Sequence, residues 1–98
     1  MKRDDIVAYL KLRKPEFQQR YHLTKLALFG SYARNEQHAA SDIDILVEFN
    51  PVNDDLFSVK EEIRKELKDK FKKNIDICRE KYLKSYYREV VLKDAVYV

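Results

Sequence analysis

The stretch "LFGSYARNEQHAASDIDILVEF", Leu28 to Phe49, decides the fold. It begins inside a short apolar run, "TKLALF" (Thr24 to Phe29), of strand length, which stops at Gly30, the only glycine in the chain. A second run, "DIDILVEF" (Asp42 to Phe49), follows and is closed by Asn50-Pro51, a turn signal. Strand side chains alternate between faces, so Ile43, Ile45 and Val47 turn to a core while Asp42 and Asp44 share an open face. Neighbouring carboxylates repel one another, and in a marginally stable fold such a pair usually has a cation between its members. Hard oxygen ligands of this kind suit Mg²⁺, which commonly takes further ligands from a substrate's phosphates.

The glycine turn extends this reading. A short helix beginning near Ser31 would aim free backbone N–H groups beyond the strand end, where they favour a phosphate. Gly30 lets that group come close to the backbone, and the Ser31 hydroxyl can donate one more hydrogen bond. A third short strand, "NIDIC" (Asn74 to Cys78), again sets an aspartate, Asp76, between apolar neighbours. If it lies beside the Asp42 strand, Asp76 completes the site as a ligand and as the base that takes a proton from an attacking hydroxyl.

Around these strands the pattern is helical. Asp4 and Asp5 precede Ile6, Val7 and Leu10, an acidic first turn with helical apolar spacing, and Pro15 is expected to end this helix or start another short turn to about Gln19. Asn53, Asp54 or Asp55 can cap a helix whose apolar positions are Leu56, Val59, Ile63, Leu67 and Phe71. Glu61 with Lys65, and Glu66 with Lys70, are four-residue pairs that suit its solvated face. A last helix is expected over Glu80 to Ala95 from Leu83, Tyr86 or Tyr87, Val90 and Asp94. The order helix, strand, strand, helix, strand, helix describes an α/β chain, a small mixed sheet of three or more strands packed against helices, with residues 1–98 forming one domain.

Composition excludes several classes. With 45% apolar and 38% charged residues the chain is globular rather than disordered, and no apolar run reaches the length of a membrane span. The N-terminus "MKRDDIVAYL" lacks the apolar stretch of a secretory signal, so a cytoplasmic location is the expectation. A net charge of +3 from 20 basic and 17 acidic residues falls short of a concentrated nucleic-acid footprint, so no direct nucleic-acid partner is expected. Cys78 is the only cysteine and reads as a buried strand thiol; His22 and His38 lack zinc-site spacing and read as surface residues. Tyr82, Tyr86, Tyr87 and Tyr97 crowd the C-terminal region, where core packing or contact with a partner is expected rather than base stacking.

With those residues in view, "GSYARNEQHAASDIDILVEF" resembles the Gly-Ser, ten-residue spacer, Asp-x-Asp signature of the DNA polymerase β-like nucleotidyltransferase superfamily, and of its minimal nucleotidyltransferases in particular. The C-terminal "NIDICREKYLKSYYREVVLKDAVYV" resembles the same small proteins. The resemblance implies the polymerase β-like palm fold, nucleotide-phosphate contacts for Gly30 and Ser31, Mg²⁺ binding by Asp42 and Asp44, and the third acid at Asp76. Where many relatives have glycine after "GSYAR", this chain has Asn35, which tolerates a left-handed turn. Arg34, Glu36 and His38 receive no assigned role. Proteins of this kind are similar to the antitoxins of modules whose toxin is a HEPN-type ribonuclease. The resemblance therefore implies transfer of AMP from ATP to a tyrosine hydroxyl of that toxin. The alternative is an antitoxin that neutralises its toxin by binding and occlusion, and transfer to a small molecule is disfavoured by the lack of room for a second domain.

Overall fold

The computed structural model describes residues 1–51 and 55–98. Helix α1 (Arg3–Tyr21) leads into strand β1 (Leu23–Phe29), a single helical turn α2 (Gly30–Ala33) and strand β2 (Ile43–Phe49). Helix α3 (Leu56–Phe71), strand β3 (Ile75–Arg79), a 3₁₀ turn (Glu80–Tyr82), helix α4 (Ser85–Asp94) and a two-residue strand β4 (Val96–Tyr97) complete the chain. The four strands lie in the order β3-β2-β1-β4. β1 is antiparallel to β2 and to β4, while β2 and β3 run parallel. This is a mixed α/β fold with a mixed sheet, as the strand and helix patterns imply. No helix among the described residues is long and apolar enough to cross a membrane.

The two faces of the sheet are covered unequally. On one face Ile6, Leu10, Phe17 and Tyr21 of α1 and Ile63 and Leu67 of α3 pack on Leu26, Leu28, Ile43, Ile45, Val47, Ile75 and Ile77. Glu66 ties the two helices together, accepting from Arg13 Nε and Nη2 at 3.0 Å each and from the Tyr9 hydroxyl at 3.1 Å. On the other face a smaller cluster joins Ala27, Phe29 and Leu46 to Val91 of α4. The face that carries the acids is therefore not open along its whole length: Leu46, two residues beyond Asp44, is fully buried.

Several local expectations need correction. Pro15 neither ends nor restarts α1, which runs through it to Tyr21. Proline there forfeits one helical hydrogen bond, but it lies exposed, and burial of Phe17 and Tyr21 beyond it outweighs a cost of about 3 kcal/mol. The expected helix over Glu80 to Ala95 is broken at Leu83 and Lys84 and begins only at Ser85. The cause is Glu80, a buried carboxylate that accepts from Arg88 Nη2 at 3.0 Å and Tyr97 Oη at 3.3 Å and pairs with Lys25 Nζ at 3.2 Å. That network holds the chain in a tight turn and adds the unforeseen strand β4. Neither expected four-residue pair on α3 forms an ion pair; Glu61 pairs with Arg64 and Glu66 with Arg13. Asp55 caps α3 by accepting from the Ser58 backbone N–H at 3.0 Å, while Asn53 and Asp54 lie outside the described residues.

His22 and His38 are exposed as expected, and Cys78 is half-buried rather than buried. Tyr82, Tyr86, Tyr87 and Tyr97 are all exposed, so core packing does not account for them.

Candidate active site

Three strand ends converge at one corner of the sheet. Phe29, the last residue of β1, is in register with Asp44 of β2, and Asp44 is in register with Asp76 of β3. In-register neighbours project to the same face, so Asp44 and Asp76 stand side by side on the face that α4 partly covers. The strand pairing that the sequence left open is therefore present. Asp42 lies just before β2 and is exposed, one pleat beyond Asp44 and outside the strand rather than within it.

Gly30 starts α2 directly after β1, with φ +74°. A Cβ built there would press on the Asp44 carboxylate, and the positive φ is one that L side chains rarely adopt, so glycine suits the position in both conformation and space. The chain does without glycine at other left-handed positions: His22 and Lys72 close α1 and α3 with φ 58°, and Asn35 adopts φ 58° after α2, as expected of asparagine. Its single glycine is placed against the aspartate. Ser31 is half-buried and follows immediately, and the first amide N–H groups of the turn lack intrahelical partners. Because α2 is one turn long, what it presents at this corner is free amides and a bare glycine backbone, not a helix macrodipole.

The electrostatics follow from the packing. Burial pushes the Asp44 carboxyl up to about 6, Asp76 and Asp42 push it in the same direction, and Arg34 opposes them. Burial, together with Asp76, also raises the Cys78 thiol, whose Sγ is 4.0 Å from Asp76 Oδ2. Farther along β2, Glu48 behaves oppositely. Burial pushes it up, but the Lys81 backbone N–H at 3.0 Å and Arg79 Nε at 2.8 Å outweigh that and hold it below the usual range. The corner thus concentrates negative charge that the protein itself leaves unbalanced.

Among the described residues no three acidic, histidine or cysteine side chains stand close enough together to hold a metal ion. The carboxylates brought side by side are Asp44 and Asp76, with exposed Asp42 one pleat beyond, an oxygen-only set that suits a hard cation taking the rest of its shell from water and substrate. A groove of about 560 Å³ opens beside Asp42, lined in part by Lys68, Lys72 and Lys73.

Residues 10–98 match the family model described as nucleotidyltransferase domain. The chain belongs to that family. This nucleotidyltransferase is similar to the protein adenylyltransferase MntA of Thermococcus cleftensis, 32% identical over 97% of this chain and 94% of that protein. A relative in Methanocaldococcus jannaschii, provisionally named a protein adenylyltransferase, is 35% identical over 96% of this chain and 95% of its own. A solved structure provisionally named a minimal nucleotidyltransferase superposes with a TM-score of 0.78 at 27% identity, covering 98% of this chain and 95% of that one. A toxin-antitoxin crystal structure with AMP-PNP shares the fold at a TM-score of 0.66 and 23% identity, over 99% of this chain and 72% of that chain.

Sequence reasoning left Arg34 without a role, yet its guanidinium is the cation that opposes the rise of the Asp44 carboxyl. The signal was its place one helical turn after Gly30. The contribution of α4 had no comparable signal, because it depends on how that helix crosses the sheet.

Proposed function

We propose that this nucleotidyltransferase is the antitoxin of a two-component module and a protein adenylyltransferase, moving AMP from ATP to a tyrosine hydroxyl of a HEPN-type ribonuclease toxin. Residues 1–98 act as one domain, in the cytoplasm, in complex with that toxin. The observation that carries the reading is the run of Gly30, Asp44 and Asp76 across three adjacent strand ends, with the glycine packed against the aspartate. The adenylyltransferase names of its relatives and the toxin-antitoxin and AMP-PNP descriptions of a structural neighbour add support.

In this reading Gly30 and Ser31 receive nucleotide phosphate through backbone N–H groups and the serine hydroxyl. Asp42, Asp44 and Asp76 would hold Mg²⁺, which when bound offsets the charge of carboxylates and phosphates together. Asp76, which is exposed, would accept the proton of an incoming tyrosine hydroxyl. The hydroxyl oxygen bonds to the α-phosphorus and pyrophosphate leaves. Arg34 tempers the repulsion around Asp44.

Incubation with α-labelled ATP, Mg²⁺ and the toxin encoded beside this chain is expected to label the toxin. The double variant Asp42→Asn/Asp44→Asn is expected to abolish the label, and equal labelling by that variant would overturn the reading. Full neutralisation of the toxin in cells by the same variant would instead establish occlusion as the mechanism.

A further inference from the structure

The groove of about 560 Å³ beside Asp42 is walled by the last turn of α3 and by the two segments that lead into β2 and β3. Asp42 precedes β2 and Asn74 precedes β3, so the groove opens at the β2 and β3 side of the corner, away from Gly30 at the end of β1. Its walls are tied together: Lys73 Nζ donates to the Ala39 carbonyl at 2.6 Å, and the Ile43 N–H donates to the Asn74 carbonyl at 3.0 Å. We propose that this groove receives an acidic segment of the acceptor protein, next to the tyrosine to be modified, an assignment that rests on the nucleotidyl-transfer reading above.

Direction and charge carry it. In a displacement at phosphorus the attacking and leaving oxygens lie roughly in line, on opposite sides of the phosphorus. With the nucleotide's phosphates at Gly30 and Ser31 beside β1, and the proton taken by Asp76 on β3, the hydroxyl arrives from the β3 side, where the groove lies. Lys68 and Lys72 are exposed and form no ion pair among the described residues. Together with Lys73 they face only two acids in the lining, Asp42 and Asp69, and Asp42 is assigned to the metal. Three ammonium groups then stand against one carboxylate. Ammonium is a compact point charge on a flexible stem, which suits a run of Asp and Glu side chains of no fixed geometry. Among the described residues the lining holds no aromatic ring on which a nucleic-acid base could stack.

The test follows labelling of the toxin encoded beside this chain by the full chain, α-labelled ATP and Mg²⁺, with the peptide hexaglutamate and the RNA hexaadenylate as competitors. Hexaglutamate is expected to compete with the toxin and not with ATP. Lys68→Gln/Lys72→Gln is expected to raise the KM for the toxin about tenfold and to lose most of the inhibition by hexaglutamate. Its KM for ATP should match that of the unaltered chain, which also shows that the variant is folded. An unchanged KM for the toxin in that variant, or no inhibition by hexaglutamate, overturns the groove assignment and leaves nucleotidyl transfer standing. So does a raised KM for ATP, which would give the groove to the nucleotide's phosphates, and so does stronger competition by hexaadenylate than by hexaglutamate, which would give it to RNA. No label on the toxin from the unaltered chain overturns both.

Discussion

The two faces of one sheet contrast in what they do with burial. Under α1 and α3, strand positions from three strands meet two helices in one continuous apolar cluster. Under α4 a few apolar residues suffice, and the same strands end in carboxylates. Stability is concentrated on the first face. That leaves the second free to hold groups that are poorly solvated and mutually repulsive. Asp44 depends on this division, because one side of it is shielded by the fold while the other meets solvent.

The strongest challenge to this contrast comes from adjacent core residues. Ile45 and Leu46 are both fully buried on β2 and face opposite sides. Ile45→Ala is expected to cost about 4 kcal/mol in urea denaturation, against about 2 kcal/mol for Leu46→Ala, since the thinner layer can collapse onto the gap. Equal costs would break the comparison. Next, Asp44→Asn should lower AMP transfer about a hundredfold, roughly 2.7 kcal/mol, by labelled-ATP assay. The same variant should not destabilise the metal-free protein.

A pH series sharpens the point. The Asp44 carboxyl lies above its unfolded value of 3.8, at about 6 in the fold, so the folded state binds the extra proton between those values. Its charge therefore weakens the metal-free fold above about pH 6, and stability should rise as pH falls from 7 toward 5, by about 1 kcal/mol after solvent screening. Asp44→Asn should flatten that rise in thermal melts with chelator present. Glu48 is shifted downward, so its stabilising effect is lost only at more acidic pH and does not obscure this window. The smallest effect belongs to the helical face: Glu66→Gln, against a partly exposed Arg13, should cost about 0.5 kcal/mol in the same melts.

Much of the corner was legible because it is local. Alternation placed Ile43 and Ile45 inward and Asp44 outward, and a lone glycine after a strand marked a position needing space. Asp76 was legible as a candidate and as the third acid of the resemblance, but its pairing with Asp44 was not, because a parallel pairing across α3 leaves no mark at either strand. Pro15 misled because propensity is a local cost, whereas Phe17 and Tyr21 are held by distant partners. Glu80 misled for a related reason. In sequence it opens an apparent helix, but its three partners come from β1, α4 and β4.

Gly30 and Asp44 also couple backbone shape to the carboxylate's place. Every other amino acid carries a Cβ, and at Gly30 that carbon would occupy the place of the Asp44 carboxylate. Any substitution here is felt first at the Asp44 carboxylate, which must turn aside, and only secondarily by the fold.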